Sequence, residues 1–284
     1  MKDLRQYYRP ASAEEAVRIK RDGGATAVYM GGSTDLLVHR LPGVESAIDI
    51  RKCGLSYVRA DGGAVAIGGG TSLRDAEAGV GGVAGGMLRE AVRETAPWLI
   101  RNVATLAGNT ANASPAADSV PALLALDTTL RLLGETEEEA PIADVLVGPH
   151  RTALRDRLIV ELRVPAEAVG KRAHFTKLAR SASDIALVNL AVALDLEDGV
   201  AYNVRIALGA VAPTAMRARR AEAVLEGQRM SQEILGEVER MVCEEVRPIS
   251  DWRASEGYRR RMSGVLVRRA LAQAAGLDGN GASA

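Results

Sequence analysis

The sequence predicts a mixed α+β protein made of three consecutive units, which span residues 1–55, 56–168 and 169–284. Helical and strand patterns alternate in the first unit. Polar and apolar residues alternate around a tight glycine turn at the start of the second unit, which indicates a β-hairpin. The third unit has strand patterns first and two long helical patterns after them. Helices and sheets are therefore both expected in the core.

Composition and charge exclude several classes of function. The chain carries 36 basic and 36 acidic side chains, so it lacks the concentrated basic surface that nucleic-acid binding requires. Its apolar runs are short and are interrupted by charges or glycines, so no transmembrane segment is predicted. The start of the chain lacks the apolar run of a secretory signal, so we expect a cytoplasmic protein. Aromatic residues make up only 3% of the chain, so the core must consist of Ala, Val, Leu and Ile.

The cysteines and histidines do not suggest a metal centre. Cys53 and Cys243 are too few and too far apart in sequence for a disulfide framework or a cysteine-ligated iron–sulfur cluster. The three histidines, His39, His150 and His174, are isolated from one another in the sequence. We therefore predict no zinc site and no other metal site in this chain.

The first unit begins with a helix whose start is marked by a capping box. Ser12 and Glu15 have the spacing of this motif, and glycines at 23 and 24 end the helix. The elements that follow are a strand over 25–30, a helix that begins at Leu36, and a strand over 47–50.

The second and third units contain less regular patterns. Residues 134–142, GETEEEAPI, are predicted to be a polar surface connection. In the last helix, the arginines at 259–261 and 268–269 are predicted to lie on a solvent-exposed or subunit-contact face. The other predicted elements are a hairpin over 56–67, helices over 73–78, 87–94, 231–246 and 256–275, and strands over 158–164, 174–179, 185–196 and 204–210.

Two glycine-containing segments are candidates for a binding site. Residues 31–35, GGSTD, join a predicted strand to a predicted helix, so backbone N–H groups there can converge on an anion. The glycines permit close approach of a ligand, and two hydroxyls add donors. Taken alone, the segment fits an ordinary capped strand–helix turn equally well. Residues 79–84 fit a dinucleotide-binding glycine pattern, but they follow no predicted strand and are interpreted as a loop.

A second polar segment makes a ligand site the better interpretation. Residues 101–118 combine small side chains with many amides and hydroxyls, and they show neither helix propensity nor strand alternation. So many donors are not expected beside a core unless something polar lies against them. An extended ligand with phosphates and hydroxyls would satisfy them.

These segments resemble a known family. Residues 31–37 and 105–121, with 177–180 and 184–186, are similar to the FAD-binding subunit of the molybdenum hydroxylases. That family includes the flavin subunits of xanthine dehydrogenase and the medium subunit of carbon monoxide dehydrogenase. The resemblance extends over almost the whole chain, including residues 250–259 before and within the last helix. It implies the FAD-binding fold of the vanillyl-alcohol-oxidase/PCMH superfamily, with two N-terminal α/β subdomains and a C-terminal α+β domain.

The resemblance also implies which residues hold one FAD molecule. Asp118 matches an acid that contacts the polar chain of FAD, Ile159 and Lys177 match positions near the flavin ring, and Ile185 matches the residue that covers one face of the ring. A lysine near the ring would favour the anionic reduced flavin. The complete set of implied cofactor-binding residues is Met30, Gly31, Gly32, Ser33, Thr34, Asp35, Leu36, Ala104, Thr105, Gly108, Asn109, Asn112, Ala117, Asp118, Ile159, Lys177 and Ile185.

The function implied by the resemblance is electron transfer. A molybdopterin-binding large subunit oxidises the substrate, a small subunit carries [2Fe–2S] clusters, and this subunit passes the electrons to NAD+, a quinone or another acceptor. A dimer of heterotrimers is expected, and no residue of this chain is expected to be catalytic toward the organic substrate. GGSTD at 31–35 in place of a Gly-Gly-His-Ser pattern favours a xanthine-dehydrogenase-like complex over carbon monoxide dehydrogenase. The alternatives are a stand-alone FAD-dependent oxidoreductase and a non-enzymatic nucleotide-binding assembly subunit.

Overall fold

The first β-sheet is small and parallel. In the computed structural model, which describes residues 3–39 and 42–277, its strand order is β1-β3-β2. Its strands and helices are β1 (Gln6–Tyr8), α1 (Ala13–Gly23), β2 (Ala27–Met30), α2 (Leu36–His39) and β3 (Ser46–Asp49). Because the strands are parallel, the segment after Met30 leaves the sheet at the carboxyl ends of the strands.

The predicted capping box is present at the start of α1. The Ser12 Oγ accepts a hydrogen bond from the Glu15 N–H at 3.2 Å. The Glu15 carboxylate accepts from the Ala11 N–H at 2.8 Å, one residue before the usual partner of the motif. The strand predicted over 25–30 is shorter, because Gly24–Thr26 form a turn of 3₁₀ helix before β2.

The second sheet is antiparallel and has the order β4-β5-β10-β6-β7. A two-stranded ribbon of β8 and β9 lies between β7 and β10 in the chain. The strands are β4 (Val58–Asp61), β5 (Ala64–Gly68), β6 (Thr129–Leu133), β7 (Glu137–Pro141), β8 (Leu146–Gly148), β9 (Arg151–Thr152) and β10 (Leu158–Val164). The predicted surface connection over 134–142 is wrong, since β7 pairs with β6 along its whole length. Ion pairs from Arg131 to Glu137 and from Arg157 to Glu138 neutralise this acidic edge strand.

Short helices connect or follow the strands of the second sheet along the chain. They are α3 (Leu73–Gly79), α4 (Met87–Glu94), α5 (Trp98–Arg101), α6 (Leu106–Asn112), α7 (Ser119–Ala125), α8 (Ile142–Val145) and α9 (Ala166–Val169). The prediction that 101–118 is irregular is wrong for its central part, where α6 forms. The Thr105 Oγ1 caps this helix by accepting from the Gly108 N–H at 3.0 Å, which compensates for a sequence of low helix propensity.

The third sheet is antiparallel, in the order β11-β12-β13-β14. Its elements are β11 (Arg172–Leu178), β12 (Val188–Glu197), β13 (Val200–Gly209), β14 (Met216–Arg217), α10 (Arg219–Leu225), α11 (Gln232–Glu245) and α12 (Glu256–Ala275). Ile185 was expected inside a strand but lies before β12. Its N–H donates to the Asp184 carboxylate, which also pairs with Arg180, and these contacts hold a separate turn.

The core is aliphatic, as the composition predicts. The largest fully buried side chains are leucines and isoleucines, and Phe175 is buried among them. One apolar cluster lies around the second sheet, a second lies between the third sheet and α10–α12, and a third joins the first sheet to β10. No described helix is both long enough and apolar enough to cross a bilayer.

One arginine predicted to be exposed is buried. Arg259 is only 2% exposed, and it donates to the Leu187 carbonyl at 2.7 Å and to the Asp251 carboxylate at 2.9 Å. The helical pattern could not reveal this, because both partners lie outside α12. The contact connects α12 to the segment that carries Ile185.

Candidate functional site

A cavity of about 850 Å³ lies where the two polar segments meet. Residues 31–36, from the end of β2 to the first residue of α2, form one wall, and residues 104–112, which include all of α6, form the other. The connection from α4 to α5 and the turn between β8 and β9 complete the lining. The predicted site residues that line it are Gly31, Gly32, Ser33, Thr34, Asp35, Leu36, Ala104, Thr105, Gly108, Asn109 and Asn112.

The two glycines of the first segment pack directly against the second segment. A Cβ atom at Gly32 would lie 1.9 Å from the Val103 carbonyl oxygen, and one at Gly31 would lie 2.8 Å from the Thr105 Oγ1. Neither position could therefore hold a larger residue without moving the opposite wall. The sequence predicts glycine here for close approach of a ligand. The contact between the two walls is a second reason why these positions require glycine.

Ser33 has an unsatisfied hydroxyl at the cavity. Its Oγ is buried and has no hydrogen-bond partner among the described residues, and its backbone adopts a φ of 57°. Ala96 and His150, which also line the cavity, have φ values of 63° and 53°. Strained residues of this kind cluster at ligand sites, and a buried hydroxyl without a partner indicates that a polar ligand supplies it.

The second wall offers amide donors. The Asn109 Oδ1 accepts from the Ser119 Oγ at 2.7 Å, so the orientation of its amide is held and the nitrogen remains available. The Asn112 side chain makes no hydrogen bond within the described part of the chain. With the Ser33 hydroxyl and the loop N–H groups, these amides form a donor set that suits phosphate oxygens.

A smaller cavity of about 290 Å³ adjoins the first. Both are lined by Gly31, Thr105 and Gly108, so they meet at the junction of the two walls. Ile159 lines the smaller cavity, together with residues of α1 and of the segment before β10. An elongated ligand can therefore occupy both sides of the junction.

Asp118 and Lys177 form a buried ion pair. The Lys177 Nζ lies 2.8 Å from the Asp118 Oδ2, and the two side chains are 6% and 8% exposed. The Asn189 amide donates to the other carboxylate oxygen at 2.7 Å. Burial raises the pKa of Asp118, and the attraction of Lys177 opposes this shift. The Lys177 Nζ also donates to the Glu94 carbonyl at 3.1 Å, just before two residues that line the larger cavity.

The remaining predicted residues lie outside both cavity linings. Ala117 is buried beside Asp118, and Ile185 is 56% exposed on its turn. Met30 ends β2 directly before the first wall. The structure does not bring Ile159 and Lys177 together in either cavity, although the resemblance placed both near one ring. The glycine-rich residues 79–84 line neither cavity.

Sequence reasoning missed two histidines at this site. His39 and His150 were treated as isolated, but their ring centroids lie 6.4 Å apart and both line the larger cavity. The fold brings them together from α2 and from the β8–β9 turn, and no sequence spacing could indicate this. In the described residues there is no group of three or more His, Cys, Asp or Glu side chains that could hold a metal ion.

The fold and the donor set suit a protein that binds an extended, phosphate-containing ligand. Residues 2–167 match the FAD binding domain in molybdopterin dehydrogenase, and residues 173–274 match the CO dehydrogenase flavoprotein C-terminal domain. The chain therefore belongs to the family of FAD-binding subunits of molybdenum-hydroxylase-type dehydrogenases, and its cofactor is FAD. The resemblance inferred from the sequence and the mixed helix–sheet fold class are confirmed.

Individual relatives match this chain along nearly its full length. The xanthine dehydrogenase FAD-binding subunit of Escherichia coli O157:H7 is 28% identical, with 98% of this chain and 99% of that protein covered. The carbon monoxide dehydrogenase medium chain of Hydrogenophaga pseudoflava is 30% identical, with 94% and 95% covered. A solved structure of carbon monoxide dehydrogenase from the same organism superposes with a TM-score of 0.91 at 31% identity, covering 96% of this chain and 98% of that one.

Proposed function

We propose that this chain is the electron-transfer subunit of its complex and that FAD spans the two cavities. We assign the pyrophosphate to the larger cavity because the Ser33 hydroxyl there is buried and has no partner among the described residues. Ser33, Thr34 and the loop N–H groups would hold the phosphate oxygens from one wall. Asn109 and Asn112 would hold them from the other.

The two ends of FAD are proposed to lie on opposite sides of the junction. Lys177 contacts the backbone next to Thr95 and Ala96, which line the larger cavity, so the flavin end belongs on that side. The adenosine end then lies in the smaller cavity beside Ile159. This arrangement replaces the expectation that Ile159 approaches the ring.

Asp118 is proposed to position Lys177 and not only to bind the cofactor directly. One of its oxygens faces Lys177 and the other accepts from Asn189, so the protein already engages both. A lysine held in this way places a fixed positive charge near the flavin end, and Ile185 on its turn would cover one ring face. FAD, when bound, supplies the redox chemistry by accepting and releasing electrons.

The electrons are proposed to come from a partner. The Cys53 thiol donates to the Ser12 carbonyl, and burial raises the pKa of this thiol to about 11. The Cys243 thiol lies in another unit and donates to the Arg260 carbonyl. Neither offers a thiolate for an iron–sulfur cluster. We therefore assign the [2Fe–2S] clusters to a small subunit and the molybdopterin to a large subunit, with NAD+, a quinone or another compound as acceptor.

An exposed apolar segment supports a subunit over a stand-alone enzyme. Trp98, Leu99 and Val103 are exposed on α5 and just after it, and Ile100 lines the edge of the larger cavity. Contiguous apolar surface of this kind is typical of a protein–protein contact. A partner bound there would lie close to the cofactor.

The purified full chain distinguishes the three candidate functions. We expect a flavin spectrum with one FAD per chain and no turnover of xanthine or carbon monoxide in air or with NAD+. Rapid oxidation of a small molecule by the chain alone would establish the stand-alone oxidoreductase. Failure to bind FAD, even with both partner subunits present, would establish the assembly subunit.

The substrate of the whole complex is proposed to be of the xanthine-dehydrogenase type. The support is the first wall, which has Ser33 where the carbon monoxide dehydrogenase pattern has histidine. Identities of 28% and 30% to the two kinds of relative do not separate them. Activity of the assembled complex with xanthine and not with carbon monoxide would support this proposal, and the reverse result would refute it.

A further inference from the structure

His39 and His150 join the two walls of the larger cavity. The His39 Nε2 lies 3.3 Å from the Asp35 carboxylate on the first wall. The His150 Nδ1 lies 3.1 Å from the Asn112 carbonyl on the second wall. Because the two rings lie 6.4 Å apart, the pair closes the gap between the walls at the edge of the cavity.

The cavity has no permanent positive charge in its described lining. Its titratable lining residues are Tyr29, Asp35, His39 and His150, without a lysine or arginine. Burial and the nearby Asp156 raise the pKa of Tyr29, so it stays neutral near pH 7. Asp35 adds a negative charge. A pyrophosphate diester adds two more, so the histidines are the only described lining residues that can balance them.

We propose that His39 and His150 form a clasp on the pyrophosphate of FAD and that protonation of this pair strengthens FAD binding. The proposal rests on the assignment of FAD to this cavity. Each imidazolium would donate to a phosphate oxygen while its contact with one wall limits its movement. The clasp is therefore an additional anion-binding element beside the two loops.

The direction of the pH dependence follows from linkage. Histidine is the side chain that ordinarily changes charge between about pH 5 and 8. An adjacent dianion favours the protonated imidazole, so FAD binding takes up protons and is strongest at the acidic end of this range. The affinity falls as the pH rises and the pair becomes neutral. Arg151, which follows His150 in β9, does not line the cavity.

The test is the dissociation constant of FAD as a function of pH. Flavin fluorescence quenching by the full chain, stripped of cofactor, is titrated between pH 5.5 and 8.0 at constant ionic strength. Wild type is expected to bind FAD about three- to tenfold more tightly at pH 5.5 than at pH 8.0, because two exposed ion pairs contribute binding energy of about this size. The double variant His39→Gln/His150→Gln should lose this dependence. His174→Gln, which changes the histidine of β11 outside the cavity lining, should keep it.

A second variant fixes the charge instead of removing it. His39→Arg/His150→Arg should bind FAD at pH 8.0 as tightly as wild type does at pH 5.5, with little pH dependence. A flat wild-type profile, or an unchanged slope in the double glutamine variant, would overturn the clasp and leave the FAD assignment intact. Absence of FAD binding at every pH would overturn both.

Discussion

Gly32 is the residue at which the two walls of the site depend on each other most closely. A methyl group there would lie within 2.6 Å of the Ala104 Cα and closer still to the Val103 carbonyl. The contact between the two walls therefore requires glycine at this position. A side chain at position 32 should displace the second wall even when no phosphate is bound.

A matched pair of glycine substitutions tests this. Gly32→Ala should lower the stability of the chain by about 1–3 kcal/mol through overpacking and weaken FAD retention by about tenfold or more. Gly82→Ala should change neither, because a Cβ at Gly82 meets no atom within 4 Å. Urea denaturation and bound-flavin absorbance report the two effects. Full FAD occupancy with unchanged stability in Gly32→Ala would show that the walls are not coupled.

Lys177 neutralises a buried carboxylate. Lys177→Met should lower stability at pH 7 by about 3–5 kcal/mol, because it leaves Asp118 charged and without its cation. Burial already raises the pKa of Asp118, so protonation in the variant should restore part of the loss as the pH falls toward 5. The double variant Lys177→Met/Asp118→Asn should recover most stability at pH 7. Equal losses for the single and double variants in urea titrations would show that the pair is not coupled.

At the scale of elements, α12 holds the turn that carries Ile185. Arg259 on this helix reaches the Leu187 carbonyl, and Arg180 of the turn lies over the Trp252 ring at 4.3 Å. Asp251 accepts from Arg259 and also from Arg253, whose guanidinium lies over the same Trp252 ring at 5.8 Å. The position of Ile185, which we propose to cover one face of the flavin ring, therefore depends on a helix distant in sequence.

Asp251, with the Arg253 and Arg259 side chains that donate to it, should make part of the stability of the chain depend on pH. Burial alone would raise the pKa of Asp251, but hydrogen bonds from Arg253, Arg259 and backbone N–H groups outweigh it and hold the pKa well below its usual range. The stabilisation is present above the ordinary aspartate pKa of about 3.9 and is lost as the pH falls further. Asp251→Asn should cost about 1–3 kcal/mol at pH 7 and progressively less below pH 4. A pH-independent difference between variant and wild type in chemical denaturation would exclude this role.

Elements whose ends are marked in the sequence, as by Pro165 and Gly276, were predictable, and those created by tertiary contacts were not. The strand predicted over 158–164 and the helix predicted over 256–275 coincide with β10 and α12. The acidic strand β7 forms because arginines on neighbouring segments neutralise it. The candidate loops could be found from their glycines and amides, but the His39–His150 pair exists only once α2 and the β8–β9 turn are folded together.

At the scale of the whole molecule, we propose that electrons pass through FAD held between the two walls. The first and second sheets supply the walls, and the third sheet supplies Lys177 and, before β12, Ile185. Every cofactor contact proposed here comes from this chain, whereas substrate oxidation is assigned to a partner. A chain of this kind should bind FAD alone and need its partners to receive electrons.

The most direct measurement is anaerobic rapid-mixing absorbance of the assembled complex carrying either wild type or Gly32→Ala. Sub-stoichiometric dithionite reduces the [2Fe–2S] clusters, and the acceptor NAD+ or a quinone is then added. In the wild-type complex we expect the clusters to be reoxidised with a transient change in flavin absorbance. The Gly32→Ala complex, depleted of the FAD that it holds more weakly, should keep its clusters reduced. Equally fast reoxidation of the clusters without FAD would refute electron transfer through FAD.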